Sequence, residues 1–385
     1  MEAAGPVAEG VLRGDLVVRA AGDPLTDDAG TGEVEGRLDA LARSLVERGI
    51  ERVAGDLVLD EGTFAAPAPA PGWPDESQRW ADYCALSGGL TVNGGVLRAT
   101  LLQGSGAPRV AVHPAPHGLR EVYGVRLGTK NDVRVGATAS ACTVRGELPA
   151  SEAATWSASF AHPDPVALFG SVFSASLARN GVALDGGVVR RRGTPPGELL
   201  AVLRTPLTDV LVPINTYSVN GVAEQVFLAM GDLATGAGSR AGGAEASARA
   251  LEALGVPRAG FAQADGSGLS RNNRATARQI VALLEAVYRT SPDVREAFFG
   301  SLAVAGRTGT LEDRLAGTPA EGRVSAKTGW IEGASALSGL ARAPNGREVL
   351  FSILVGYPRD AGGLNKSVLK PMQDELVLAL FEDPR

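Results

Sequence analysis

Lysine is almost missing from this chain of 385 residues: Lys130, Lys327, Lys366 and Lys370 stand against 33 arginines. The two residue types serve a surface alike, so the skew reflects overall composition, and it makes each lysine simple to weigh. Cysteine is as scarce. Cys84 and Cys142 alone give neither a disulfide framework nor a metal-binding spacing. The three histidines, His113, His117 and His162, each adjoin proline or glycine in the middle of the chain, which argues against a His-based triad or a zinc site. No apolar run approaches the roughly 18 residues that a membrane-spanning helix needs. A net charge of −6 argues against nucleic acid as a partner. The opening Met1-Glu-Ala-Ala-Gly-Pro6 lacks the basic, apolar and small-residue regions of a secretory signal. The chain then turns strand-like at once, over Val11–Arg19, and reads there as the middle of a domain.

Hydrophobic residues at 44% and charged residues at 21% are ordinary globular usage, and the length suits two or three domains with large cores. The alternation over 11–20 predicts a strand. Leu38, Leu41, Leu45 and Val46 predict a helix over 37–48 with Gly49 as its cap. A strand follows at Asp56–Asp60. The Pro-rich stretch 65–80 reads as loop. Residues 85–150 read as short strands, 162–180 as a helix carrying Val166, Phe169, Phe173 and Leu177, and the stretch to about 204 as strands again.

The second half is mixed. Val222, Val226, Phe227 and Met230 predict a helix over 216–231. Thr276 opens another over 276–289, with Ile280, Leu283, Leu284 and Val287 inside. Two strands, 336–343 and 347–355, join through Asn345-Gly346, a hairpin signal. A last helix starts with Pro371 as its first residue.

Four segments carry chemistry. Lys327-Thr328-Gly329 lies on a predicted strand, Arg323–Trp330. An ammonium and a hydroxyl together suit a carboxylate, and a glycine lets a ligand approach the backbone. Alone, the tripeptide reads as an edge strand ending in a turn. Ser218-Val219-Asn220 precedes a helix and alone reads as an ordinary helix start. Asp265-Gly-Ser-Gly-Leu-Ser270 and Gly306-Arg-Thr-Gly-Thr-Leu311, the latter followed by Arg314, are unusual Gly-rich loops between the other two.

In their order along the chain, Ser218-Val-Asn220, Asp265–Ser270, Gly306–Arg314 and Lys327-Thr-Gly329, the four segments resemble the penicillin-binding D-alanyl-D-alanine carboxypeptidase/endopeptidase family, of the low-molecular-weight class with inserted domains. The first 200 residues agree, through Gly14–Val18, Gly22-Asp-Pro24, Gly55–Asp60 and Tyr83–Asn93. The resemblance implies an α+β fold: a serine β-lactamase/transpeptidase-like domain, an antiparallel sheet flanked by helices, with β-rich inserted domains. Residues 1–20 would be a remnant of the catalytic domain, 21–200 the inserted domains and 201–385 the catalytic domain.

It also implies a serine-type carboxypeptidase/endopeptidase of peptidoglycan that works through an acyl-enzyme, outside the cytoplasm, on stem peptides and β-lactams, with no cofactor or metal. Such enzymes use Ser-x-x-Lys, Ser-x-Asn and Lys-Thr-Gly. Ser218 would relay a proton to the leaving amine. Asn220 would hold the substrate amide or the nucleophile's lysine. Lys327 would keep the site electropositive, Thr328 would bind the terminal carboxylate, and Gly329 would admit the ligand. The backbone N–H of Trp330 would form half of an oxyanion hole, though the family usually carries a small hydroxyl residue there.

The nucleophile motif is the gap. Of the four lysines, only Lys370 has a serine three residues before it, Ser367. It follows Lys-Thr-Gly instead of preceding Ser-x-Asn, and Pro371 disfavours a helix through Lys370. The expectation is that several tens of residues, including Ser-x-x-Lys and an export signal, are absent, and that the chain as written is inactive and poorly stable. A non-catalytic relative that binds peptidoglycan stems is the alternative. A β-lactamase or esterase fits the inserted region least well.

Overall fold

The computed structural model describes residues 1–26, 36–102, 108–115 and 118–382, so His117 lies outside the described residues. Two compact units divide the chain. One comprises Met1–Thr205 and Asn220–Gly243, the other Pro206–Val219 and Ala244–Arg385.

The first unit is built on short strands. A five-stranded sheet runs Val188–Arg191, Leu57–Asp60, Asp15–Arg19, Glu2–Ala4, Glu198–Leu199, with its first three strands parallel. The stretch expected as one strand over 11–20 is two, Val11–Leu12 and Asp15–Arg19, in different sheets, because the chain bends at Arg13-Gly14. The expected helices form, at Arg37–Val46 and Pro165–Arg179.

Both helices bury their apolar stripes in one core with the strands. Leu38, Leu45, Leu57, Leu59, Phe160 and Phe173 lose essentially all exposure there, each contributing about 1.5–3 kcal/mol by burial. Asp39 links the two helices by accepting from Arg179 and Asn180 at 2.7 and 2.9 Å. Buried Asp60 accepts from Arg19 at 2.6 Å and from the backbone N–H of Gly193 and Thr194. Arg19 reaches Glu2 as well, at 2.8 Å. The 85–150 stretch supplies two further three-stranded sheets, the second completed by Ser157–Ala161.

The second unit holds one four-stranded antiparallel sheet in the order Ala303–Val304, Val324–Ile331, Ala334–Arg342, Glu348–Gly356. Leu337, Phe351, Val324 and Ala326 share a core with Val377 of the helix Lys370–Glu382. Leu340 packs instead with Leu284 and Phe299, from the helices Ala277–Tyr288 and Pro292–Gly300. Alternate residues of the strands thus serve opposite faces, and the sheet lies between helices. Asn345-Gly346 closes the expected hairpin, with Arg342 paired to Glu348. Thr276 caps its helix reciprocally with Gln279.

Two expectations need correction. The helix expected over 216–231 begins at Asn220, and a separate helix, Leu207–Asn215, precedes it. Lys370 is helical despite Pro371, with φ −63° and ψ −48°, because a wider π-type turn over Asn365–Leu369 leads into the last helix. No helix among the described residues is long and apolar enough to cross a membrane.

Candidate functional site

The second unit brings Lys327 to Ser218, 109 residues away in the chain: the Lys327 Nζ donates to Ser218 Oγ at 2.8 Å and to the carbonyl of Thr328 at 2.9 Å. Three local features make this meeting possible.

The first is an interrupted edge. The neighbouring strand Ala303–Val304 pairs only with Ser325 and Ala326. At the end of that strand away from Lys327, Gly306, at φ 64°, turns the chain, its N–H held by the carbonyls of Leu311 and Arg314. A left-handed φ suits glycine, and a Cβ there would lie 2.8 Å from Glu321. The two strands run antiparallel, so the residues that would flank Lys327–Trp330 are those before Ala303, and these belong to the helix Pro292–Gly300 and the turn that follows it; beyond Ala326 the Lys327 strand therefore has an open edge. Ala305 N–H donates to Val324 C=O on that edge. Backbone groups alternate sides along a strand, so the C=O of Thr328 and the N–H of Trp330 face the same edge with no strand to pair them.

The second is a pinned turn. Ser218 sits at φ 59°, a conformation rare outside glycine. Three contacts hold the residues around it. Asn215 Nδ2 donates to Ser301 Oγ at 2.8 Å, Val219 N–H to Pro213 C=O at 3.0 Å, and Thr310 N–H to Thr216 C=O at 3.1 Å. Gly309, at φ 58°, approaches so closely that a Cβ would lie 2.2 Å from the Thr216 carbonyl oxygen.

The third is a hydroxyl pair. Thr328 Oγ1 donates to Thr310 Oγ1 at 2.9 Å. The loop bearing Thr310 is anchored by Arg314, which bonds Asp374 at 2.7 Å. The other Gly-rich loop wraps buried Asp265, whose carboxylate accepts from the N–H of Gly268 and Ser270 and from Asn273.

Burial pushes the Lys327 ammonium down from its ordinary range to about 8. It keeps its proton at neutral pH but yields it readily. Trp330 stands at the end of the motif, 61% exposed, with its indole N–H donating to Tyr357 Oη at 2.9 Å.

The remaining expected residue, Asn220, opens the helix Asn220–Thr235 of the first unit and donates to the Tyr83 carbonyl at 2.9 Å within that unit. Ser367 bonds the Gly363 carbonyl at 3.0 Å and lies exposed on the π-type turn. Thr310 and Tyr357 had no assigned part in the sequence reading. Thr310 lies inside a loop already singled out, while nothing in the sequence marks Tyr357. Among the described residues no cluster of three or more His, Cys, Asp or Glu could hold a metal.

Residues 1–379 match the D-Ala-D-Ala carboxypeptidase 3 (S13) family. A D-alanyl-D-alanine carboxypeptidase from Actinomadura sp. (strain R39) is 37% identical over 347 residues, which make up 82% of this chain and 62% of that protein. The chain thus spans less than two thirds of that relative's length. D-alanyl-D-alanine carboxypeptidase DacB from Haemophilus influenzae is 27% identical over 371 residues, 92% of this chain and 74% of that one. The crystal structure of penicillin binding protein 4 (dacB) from Haemophilus influenzae superposes with a TM-score of 0.81 at 24% identity, covering 99% of this chain and 85% of that one. At that identity the likeness establishes the fold, α+β of the penicillin-binding type. A second structure of the same protein, complexed with a novel β-lactam, gives 0.74.

Proposed function

This chain belongs to the D-Ala-D-Ala carboxypeptidase 3 (S13) family, and on that premise we propose that it carries the carboxylate-binding and proton-relay half of an acyl-transfer site for peptidoglycan stem peptides ending in D-Ala-D-Ala. β-Lactams would bind as mimics of the same peptides, and the protein would work outside the cytoplasm. The observation that carries the reading is the contact of Lys327 Nζ with Ser218 Oγ on the open strand edge.

The chemistry follows from the geometry. The substrate carboxylate is received by the Thr328 hydroxyl, within the field of the Lys327 ammonium. The scissile carbonyl then lies along the open edge, where the Trp330 N–H donates to its oxygen as negative charge develops. One such donor contributes about 3–4 kcal/mol in a favourable case. In a complete site, where a nucleophilic oxygen bonds the carbonyl carbon and keeps the acyl group as the amide C–N bond breaks, the leaving nitrogen would take the Ser218 hydroxyl proton, and the Lys327 ammonium would restore it. An ammonium that titrates near 8 suits that transfer close to neutral pH. Gly329 would leave room for the substrate backbone.

The nucleophile is the missing piece. Ser367 is the sole serine three residues before a lysine in this chain. It is exposed, and its hydroxyl donates to the Gly363 carbonyl of its own turn. This favours a second reading for the chain as written: binding of stems and β-lactams without turnover.

A fluorescent penicillin tests both. The chain should bind it reversibly, lose that binding on Thr328→Val or Lys327→Met, and show no covalent band after denaturation. A covalent band that disappears on substituting any one serine would overturn the non-catalytic reading. Reversible binding that survives both substitutions would overturn the site itself.

A further inference from the structure

We infer that Trp330 is a specificity-determining residue: its indole forms a fixed apolar wall that contacts the side chain of the residue bearing the ligand's carboxylate, so this site prefers a C-terminal residue larger than alanine. The inference rests on the reading of Thr328 as the carboxylate site.

Three observations support it. Residues two apart on a strand share a face, so Trp330 stands on the face of Thr328, about 7 Å along the strand. A carboxylate on Thr328 Oγ1 sits within hydrogen-bond distance of that hydroxyl. The next carbon and its side chain then come within van der Waals reach of an indole, the largest side chain available.

The ring is also held. Its Nε1–H donates to Tyr357 Oη at 2.9 Å, and the Tyr357 N–H donates to the Gly333 carbonyl at 2.9 Å, at the turn joining the strands Val324–Ile331 and Ala334–Arg342. Tyr357 Oη also lies 3.4 Å from the Ile331 carbonyl, as its donor. A pre-positioned aromatic loses little freedom when a ligand packs on it.

Finally, Trp330 remains 61% exposed although its polar atom is satisfied. A buried structural tryptophan hides its ring in a core. This one shows an apolar face to solvent beside a hydroxyl pair and an ammonium. Thr328, Thr310 and Lys327 would fix the carboxylate, and the ring would select what is attached to it. Tyr357 acts as a positioning residue by holding the ring.

The test compares reversible binding of N-acetyl-D-alanyl-D-alanine and N-acetyl-D-alanyl-D-phenylalanine by titration calorimetry, on the full chain. The larger ligand should bind about three- to tenfold tighter, the scale of an aromatic contact. Trp330→Ser should bring the ratio near one, Trp330→Phe should retain part of it, and Tyr357→Phe should reduce it by loosening the ring. A ratio unchanged in Trp330→Ser, or a wild-type preference for the alanine ligand, overturns the inference. Thr328→Val separates the two claims. If it weakens both ligands alike while Trp330→Ser leaves the ratio unchanged, the carboxylate site stands and the wall falls. If it weakens neither, the underlying site reading fails, and this inference fails with it. Binding of neither ligand to the wild-type chain overturns both.

Discussion

Lys327 should make the second unit more stable as the pH rises, against the usual effect of alkali. Its pKa is about 8 in the folded chain against an ordinary 10.5. The cause is burial, which disfavours the ammonium. Between those two values the unfolded chain holds more protons than the folded one, and stability therefore rises with pH. Below 8 both states are protonated and the folded state carries the full cost of a desolvated charge. Integrating from pH 7 to pH 10 with these two values gives a gain of roughly 2–3 kcal/mol.

Other groups titrate over the same range, so the quantity to measure is a difference. Urea unfolding of the wild-type chain and of Lys327→Met at pH 7, 8, 9 and 10 should show the wild type gaining on the variant by that amount, most steeply above pH 8. At pH 7 the variant should come close to the wild type or exceed it, although Ser218 Oγ and the Thr328 carbonyl lose their donor. Reversible β-lactam binding should move the other way and weaken through pH 8 as the ammonium is lost. Parallel stability curves would refute the argument, because they would mean that Lys327 keeps an ordinary pKa and that its surroundings do not desolvate it.

Other substitutions probe the supports of the site. Gly309→Ala places a methyl 2.2 Å from the Thr216 carbonyl oxygen at a positive φ. It should cost more than about 2 kcal/mol in urea unfolding and abolish ligand binding by displacing the turn before Ser218. Ser218→Gly should be more stable than Ser218→Ala by about 1 kcal/mol, the reverse of the usual order, because φ 59° suits glycine. In the first unit, the Arg19 hydrogen bond holds Glu2 at about 2 against an ordinary 4.5. A lowered carboxylate pKa stabilises the fold above 4.5, and that contribution is lost as the pH falls through about 2. Acid titration of Glu2→Gln should lack this component. An acid profile identical to that of the wild type would remove Glu2 from the account.

Local patterns in the chain were legible where one element satisfies itself. The stripes of Leu38–Leu45 and Ile280–Val287, the Thr276 cap and the Asn345-Gly346 turn are all complete within a dozen or so residues, and each appears in the structure. Elements without a stripe were not legible. Arg240–Ala253 is helical but rich in alanine, glycine and charge. Leu207–Asn215 carries Pro213 inside it. Pro371 misled for a related reason: the restriction it places on Lys370 is a preference, and the π-type turn before it supplies a helical approach that local rules do not anticipate.

The site itself lay at the limit of legibility. Its residue types were readable, but what brings them together was not, because the deciding event is an absence of pairing. Had the strand Ala303–Val304 continued alongside Lys327 to Trp330, the Thr328 carbonyl and the Trp330 N–H would have been used in a ladder. Lys327 would then have had no edge to bend around. That strand does not reach so far because the chain before Ala303 is the helix Pro292–Gly300; at its other end Gly306 takes a left-handed turn, and the loop that follows delivers Gly309 and Thr310 to the turn before Ser218. The helix thus leaves the edge open, and the glycine sends back the loop that holds Ser218 and Thr328 in place. The Gly306–Leu311 segment supplies only the Thr310 hydroxyl to the scheme, yet together with that helix it explains why a lysine, a serine and a threonine distant in sequence meet at a strand edge left free to receive a ligand.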